Sequence, residues 1–247
     1  MPLALVTGGA RRLGAHIAAR LAQAGYDLAL QSGSGAPPED WLLDAIGDRR
    51  CETFLTDLDD PGAVAALPDA VARRFGRPID VLINGASRFG AMDGADGAYD
   101  AVAAHLRVNL AAPVALATAV ARAGHGVAIV NILDQRIANP PVDQLAYTLS
   151  KQALAEATRT LALALAPKAR VNGVAPGLVL PTEDYATGQF DRVGALMPLG
   201  RNARADEIAD AVLWLARAEA VTGQVIFVDG GAHLKSFERD FVHLARD

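Results

Sequence analysis

Tyr147 and Lys151 stand four residues apart in Ala146-Tyr147-Thr148-Leu149-Ser150-Lys151, a spacing that puts both side chains on one face of a helix. A free phenol ionises near pH ~10, and a neighbouring ammonium favours the phenolate, so the pair can hand over a proton near neutral pH. A second feature with chemical meaning is Thr7-Gly8-Gly9-Ala10-Arg11-Arg12-Leu13-Gly14, which follows an aliphatic run and opens into the helical pattern Ala15-His16-Ile17-Ala18. Glycines at a strand-to-helix turn let the backbone approach a pyrophosphate, whose charge meets the free N–H groups and positive dipole end of the helix. Arg11 and Arg12 sit at that positive end, where an anionic partner explains two cations. The next aliphatic run closes on Leu30-Gln31-Ser32-Gly33-Ser34, with no carboxylate placed to grip the ribose 2′-hydroxyl of NAD. Ser32 and Ser34, with the arginines upstream, favour a 2′-phosphate and therefore NADPH.

Such groups need a scaffold, and the chain alternates short aliphatic runs with longer segments of helical period. Strands are expected at Leu3–Thr7, Asp27–Gln31, Glu52–Leu55, Asp80–Asn84, Gly126–Leu133, Arg170–Ala175 and Gln224–Val228. Helices are expected at Gly14–Ala24, Glu39–Ile46, Pro61–Phe75, Tyr99–Ala123, Gln144–Ala166 and Ala205–Arg217. The pattern is α/β, a Rossmann-like doubly wound seven-stranded parallel sheet with helices on both faces, forming a single domain over 1–247 with its ligands beyond the carboxyl ends of the strands. The stretch 177–204 lacks strong periodicity and falls where a lid over a cleft belongs.

The 247 residues fit one domain, and a net charge of −5 offers no general attraction for nucleic acid or anionic membranes. A lone cysteine, Cys51, excludes an internal disulfide and favours a reducing compartment such as the cytoplasm. The longest largely apolar stretch, Leu110 to Ala121, is shorter than the roughly 20 residues of a spanning helix and contains Pro113. The N-terminal residues read as a first strand, not a signal peptide. His16, His105, His125, His233 and His243 show no metal-ligand spacing with one another or with Cys51, so no metal is expected.

Over essentially its whole length the sequence resembles the short-chain dehydrogenase/reductase family. The motifs recur in the family's order: the glycine turn from Gly8 to Gly14, Asp57-Leu58, Asn84-Gly85-Ala86-Ser87, Asn109 in Val108-Asn109-Leu110, and Tyr147 with Lys151. Val171-Asn172-Gly173-Val174-Ala175-Pro176-Gly177 and Val228-Asp229-Gly230-Gly231 complete the set. The resemblance implies cofactor contacts from Gly8, Arg11, Arg12, Leu13, Gly14, Asp57, Leu58, Asn84, Gly85, Ala86, Pro176 and Gly177. It implies that Asp57 meets the adenine, Asn109 holds a structural water and Lys151 binds the nicotinamide ribose. It also implies a homo-oligomer, a tetramer or dimer, formed by the helices that carry Asn109 and Tyr147, whose apolar faces include Ala153, Ala157, Leu161 and Leu165.

Thirteen residues before Tyr147, where most members carry serine, this chain has Asp134. That aspartate, the Arg11-Arg12-Leu13-Gly14 turn and Ser87-Arg88-Phe89 are similar to the pteridine reductases and bacterial dihydromonapterin and dihydrofolate reductases of the superfamily. The resemblance implies Asp134, Tyr147, Lys151 and Asn109 as the catalytic set, with Arg12, Ser87, Phe89, Asp134, Tyr147 and Leu178 around a pterin stacked on Phe89. Arg88 stands where relatives commonly have a small residue and Gly85 where they usually have asparagine. A serine hydroxyl suits a ketone oxygen, whereas reduction of a pterin C=N bond delivers a proton to a ring nitrogen, which a carboxyl beside a tyrosine can relay. Lys151 and Arg12 are the cations expected to oppose the charge of Asp134. A carbonyl reductase (ketone or 3-oxoacyl) and a non-catalytic NADPH-binding sensor are the alternative readings. Finally, Phe237, Phe241 and Leu244 recur at i, i+4 and i+7 in a tail, 236–247, expected as an amphipathic helix with Ser236 as its N-cap. The tail is expected to dock on a neighbouring subunit or to border the substrate pocket.

Overall fold

The computed structural model describes residues 1–90 and 98–246; Asp247, the last residue of the expected tail, lies outside them. The strands are β1 (Leu3–Thr7), β2 (Asp27–Ser32), β3 (Cys51–Leu55), β4 (Val81–Asn84), β5 (Val127–Ile132), β6 (Ala169–Pro176) and β7 (Val225–Val228). They form one sheet in the order β3-β2-β1-β4-β5-β6-β7, every neighbouring pair parallel. Strand ends differ from the sequence expectation by a residue or two, as fraying ends do. Parallel strands covered on both faces require nearly continuous apolar runs, and every residue of β1, β2, β4 and β5 is buried.

Helices α1 (Arg12–Gln23), α2 (Asp40–Ile46) and α8 (Ala205–Arg217) cover one face through a core that includes Ile17, Leu21, Leu42, Ile208 and Val212. On the other face α3 (Pro61–Phe75), α5 (Ala112–Ala123) and α6 (Leu145–Ala164) bury Leu67, Val71, Leu116, Val120 and Leu161. Because β1 lies between β2 and β4, the chain winds away from it in both directions, and a crevice opens at the carboxyl ends of β1 and β4. Register brings Thr7, Asn84 and Asn131 level across those strands. The Thr7 hydroxyl accepts the Gly85 and Ala86 N–H groups at 3.0 and 3.1 Å, which fixes how β4 leaves the sheet.

Three expectations change. The helix foreseen at Tyr99–Ala123 divides into α4 (Ala98–Leu106), a π-turn at Arg107–Ala111 and α5, and the π-turn carries Asn109. The whole span Ala98–Ala123 is longer than the apolar stretch read from the sequence and has the length and composition to cross a membrane, yet here α5 packs against α3, and α4 against α6. Of the four α6 residues expected on an oligomer face, Leu161 is buried in the protein's own core and Leu165 packs against it, while Ala153 and Ala157 are half-buried; Leu145, Leu149 and Leu163 are exposed.

The third change concerns the tail, which is not a helix. It runs as an irregular strap with one 3-10 turn at Phe241–His243, capped by Asp240, whose carboxylate accepts the Val242 N–H at 3.0 Å. Phe237 and Phe241 still meet edge to face, 5.2 Å between centroids, and join Leu244 in a small cluster with Val193, Met197 and Leu178. The strap is held by backbone-directed bonds on both sides, which engage the Glu238, Val242, Leu244 and Ala245 carbonyls. The Gln189 amide on α7 (Gln189–Ala195) donates to the Val242 and Leu244 carbonyls, and Val142 N–H donates to the Glu238 carbonyl. The expected lid therefore contains a helix and is tied to the tail.

Candidate active site

The turn after β1 has the shape that a dinucleotide cradle needs. A Cβ on Gly14 would stand 2.0 Å from the Gly8 carbonyl oxygen, so only glycine lets α1 begin against the turn. Gly8 has φ +65° and packs its α-carbon region against Ala86, so a side chain there would be strained as well as crowded. Arg12 is also in the left-handed region, at φ +52°, a conformation that costs a non-glycine residue on the order of 1–3 kcal/mol and tends to occur where function demands it. No side chain of the N-cap residue, Arg11, caps α1; instead the Glu39 carboxylate accepts the Arg12 N–H at 3.0 Å, so the helix start already draws an anion. That hydrogen bond also holds Glu39 below the usual carboxylate range.

Around this turn lie Ser32, buried at the end of β2, and the exposed Ser34. Asp57 caps its own turn through the Asp59 N–H at 2.9 Å, and Leu58 sends its side chain into the core. Asn84 donates to Asn131 at 2.8 Å and Asn131 donates to Thr158 of α6 at 2.9 Å, a buried relay that locks α6 onto the sheet. The carboxamide of Asn109 is committed to protein partners, accepting Arg88 N–H at 2.6 Å and donating to the Arg88 carbonyl and to Ser150 Oγ at 2.9 Å each. It therefore fixes the 87–89 segment against α6, a role the resemblance did not imply. Pro176 is buried at the end of β6, and a Cβ on the next residue, Gly177, would stand 2.9 Å from Asp229 Cβ. These small or strand-end residues fit a nucleotide lying along the carboxyl edge of the sheet.

Beyond them, the proton-handling groups converge. Tyr147 is 7% exposed, and its hydroxyl donates to Asp134 Oδ2 at 3.0 Å. The Ser87 hydroxyl lies near the phenol and favours its ionised form, against the larger effects of burial and Asp134. Lys151, fully enclosed, donates to the Ile132 carbonyl at 2.8 Å, with Nζ 5.6 Å from the centre of the Tyr147 ring. Burial pushes the Tyr147 phenol well above its usual value and the charge of Asp134 adds to this, so the lone ammonium does not prevail as the spacing suggested: Tyr147 is held protonated. Burial likewise lowers Lys151, to about 8, against the opposing pull of Asp134.

The decisive partner of Asp134 is Arg136, which the sequence reading missed. Asp134 Oδ1 accepts the Arg136 N–H at 3.0 Å and faces Arg136 Nε at 3.2 Å, while the guanidinium carbon lies 4.7 Å from the Tyr147 ring centre. Arg136 Nη2 in turn donates to Asp240 Oδ2 at 2.7 Å, with both side chains buried. Burial would lower the guanidinium, but Asp134, Tyr147 and Asp240 together outweigh it and hold it above its ordinary value. Arg12, the cation expected beside Asp134, instead donates to the Pro181 carbonyl at 3.3 Å. The signal for Arg136 was an arginine two residues beyond the candidate carboxylate at the same strand end; Asp240 left none, being joined to the site only by folding.

A cleft of about 490 Å³ opens on this cluster. Phe89, Asp134 and Leu178, expected around the substrate, and Gly177, expected at the cofactor, line it together with Gln144, Tyr185 and tail residues 240–243. Phe89 is 54% exposed and meets Tyr147 edge to face at 4.9 Å between centroids. Arg12, Ser87 and Tyr147 are not among the lining residues; Tyr147 lies behind the wall, against Asp134 and Phe89, which do line the cleft. Among the described residues no group of three or more His, Cys, Asp or Glu side chains is gathered to hold a metal.

The family described as enoyl-(acyl carrier protein) reductase matches residues 8–233. The chain belongs to the short-chain dehydrogenase/reductase family. It is an NAD(P)-dependent oxidoreductase. It is 34% identical over 280 residues to pteridine reductase 1 of Leishmania tarentolae, covering 94% of this chain and 96% of the relative. It is 32% identical over 244 residues to a granaticin polyketide synthase protein of Streptomyces violaceoruber described as a ketoacyl reductase, covering 94% and 96%. Among solved structures, FolM alternative dihydrofolate reductase 1 from Brucella canis, complexed with NADP, superposes with a TM-score of 0.88 at 35% identity, covering 96% of this chain and 95% of that one.

Proposed function

We propose that this short-chain reductase is an NADPH-dependent reductase of pterins, of the dihydrobiopterin, dihydromonapterin or dihydrofolate type. The observation that carries the reading is the Asp134–Tyr147 hydrogen bond, with Asp134 and Phe89 both lining the cleft. A flat heteroaromatic ring finds a stacking surface in the exposed Phe89. When bound at the carboxyl edge of the sheet, the dinucleotide would supply the hydride. Tyr147, kept protonated by burial and by Asp134, gives its proton to the substrate nitrogen that would otherwise become an anion. The phenolate left behind is stabilised by Arg136 and Lys151, 4.7 and 5.6 Å from the ring centre. Paired with Arg136, Asp134 acts as a hydrogen-bond acceptor that orients the phenol, a narrower role than the relay expected from the sequence. NADPH in place of NADH is supported by the hydroxyl residues and absence of a carboxylate in Gln31-Ser32-Gly33-Ser34 and by the NADP held by the Brucella relative.

A second reading, reduction of a 3-oxoacyl carbonyl, is favoured by the ketoacyl reductase relative. Loss of NADPH absorbance with dihydrobiopterin, dihydromonapterin or dihydrofolate, set against ketones and a 3-oxoacyl thioester, separates the two. Turnover of pterins is expected; turnover of carbonyls alone overturns the proposal. Asp134→Ser is expected to remove pterin reduction while raising carbonyl reduction, and equal effects on both substrates would remove Asp134 as the specificity determinant.

A further inference from the structure

The C-terminal strap contributes more than a wall to the cleft. Besides the Asp240–Arg136 pair, the Asp240 N–H donates to Asp143 Oδ2 at 2.8 Å, and Arg239 pairs with the same carboxylate at 2.8 Å. These bonds lie on the 139–143 loop that leads into α6 and Tyr147. On its other side the strap is joined to the lid through Gln189, through Arg192 donating to the Ala245 carbonyl at 3.1 Å, and through Arg246 donating to the Asp184 carbonyl at 3.2 Å. Among the described residues, Asp240 is thus the one tail side chain that reaches, through a single intervening residue, the carboxylate bonded to the reacting phenol.

We infer that Asp240 is a positioning residue: by anchoring Arg136 it fixes Asp134 and, through Asp134, the orientation of the Tyr147 hydroxyl, so that the tail completes the active site of its own subunit. The chain of contacts is short: a hydrogen bond holds the guanidinium to Asp240, an ion pair at 3.2 Å sets its Nε against Asp134 Oδ1, and a hydrogen bond joins Asp134 to Tyr147. Arg136 has two carboxylates to serve and spans both, Asp240 through Nη2 and Asp134 through its backbone N–H and Nε. Without Asp240 the guanidinium has no partner on the tail side and is free to turn wholly toward Asp134, competing with Tyr147 for that carboxylate. Arg136 also donates to Thr148 Oγ1 at 3.4 Å, so its displacement reaches α6 directly as well. Charge balance points the same way. Arg136 and Lys151, 4.7 and 5.6 Å from the Tyr147 ring centre, are balanced by Asp134 and Asp240, and removing one anion leaves a buried excess of positive charge.

The inference rests on Tyr147 being the proton donor, and the test keeps the two separable. In the full-length protein, Asp240→Asn is expected to lower kcat for NADPH-dependent dihydrobiopterin reduction about tenfold or more, the scale of outer-shell losses at other sites, with NADPH affinity by fluorescence titration changed less than about twofold. Asp240→Glu is expected to restore part of kcat. In an Asp134→Asn background the same Asp240→Asn change is expected to have no further effect on kcat, which a merely structural role would not produce. Independently of turnover, Asp240→Asn and Arg136→Met are expected to hasten trypsin cleavage after Arg239, since the strap loses its buried anchor. An unchanged kcat in Asp240→Asn, an equal loss in the Asp134→Asn background, or a fall in NADPH affinity as large as that in kcat overturns the inference. Should Asp240→Asn fail to fold, Arg136→Lys keeps the charge and loses the fork; full kcat in that variant equally overturns it. If Tyr147→Phe retains kcat, the proton-donor reading itself falls; if Tyr147→Phe is inactive and Asp240→Asn is not impaired, only the positioning role falls.

Discussion

The cofactor side of the cleft is assembled from residues that each follow the end of a strand, whereas the substrate side is assembled from the β5–α6 loop, the lid and a tail that no strand positions. In the first region, geometry is set locally: Gly8 and Gly14 shape one turn, and Thr7 holds the next strand's exit through two backbone bonds. In the second, the contact that matters joins residues 104 positions apart, Arg136 and Asp240. A shared cradle with a variable wall is how one fold serves many substrates. It also means that the two sides should fail in different ways when perturbed.

The largest effect is expected at their meeting point. Tyr147→Phe removes the proton donor and leaves the ring, so kcat should fall by about 10²–10⁴ while NADPH still binds, as stopped-flow and fluorescence titration can show. Equal loss of both would place Tyr147 on the cofactor side of the comparison instead. Next in size is a structural effect confined to the substrate side. Asp240→Ala leaves Arg136 buried and half-paired, and loss of one member of a buried ion pair costs about 3–5 kcal/mol, measurable by denaturant unfolding. On the cofactor side, Gly14→Ala forces a Cβ onto the Gly8 carbonyl, and overpacking of that kind costs about 1–3 kcal/mol. Its signature should be weaker NADPH binding with trypsin resistance of the tail unchanged, the reverse of the pattern expected for Asp240 variants.

The same division separates what was legible in the sequence from what was not. The sheet, its strand count and the glycine turn follow from period and spacing, because a buried parallel strand and a strand-to-helix turn each impose their pattern on adjacent residues. Tyr147 and Lys151 were legible for the same reason, lying on one helix face, whereas Asp134 was legible only through the family resemblance, as the residue standing thirteen before Tyr147 where most members carry serine. Arg136 was hidden because a buried arginine is indistinguishable in sequence from an exposed one until its counter-charges are known. The tail misled because Phe237, Phe241 and Leu244 do share an apolar cluster, but an irregular strap can deliver the same side chains as a helix once Gln189 and the 139–143 loop satisfy its backbone. The π-turn at Asn109 likewise leaves no trace in hydrophobic period, since it inserts a single residue into an otherwise continuous helix.

The smallest expected effect is a shift along the pH axis, and it tests whether the two regions share one electrostatic field. Burial sets Lys151 at about 8, Asp134 pulls it up and Arg136 pushes it down. If the Lys151 ammonium helps to hold the dinucleotide, NADPH affinity stays level below that value and begins to weaken as pH rises through about 8, when the free protein gives up the Lys151 proton. Arg136→Met takes away a neighbouring cation, so Lys151 keeps its proton longer and the onset should move to higher pH. Asp134→Asn takes away the anion and should move it to lower pH. Each displacement is expected to be less than about one pH unit, that is, less than about 1.4 kcal/mol. Fluorescence titration of NADPH between neutral pH and about pH 10 reads both displacements. Opposite displacements mean that the substrate-side residues Arg136 and Asp134 tune a cofactor-side group, whereas a common direction or no movement means that the two halves of the cleft are electrostatically separate.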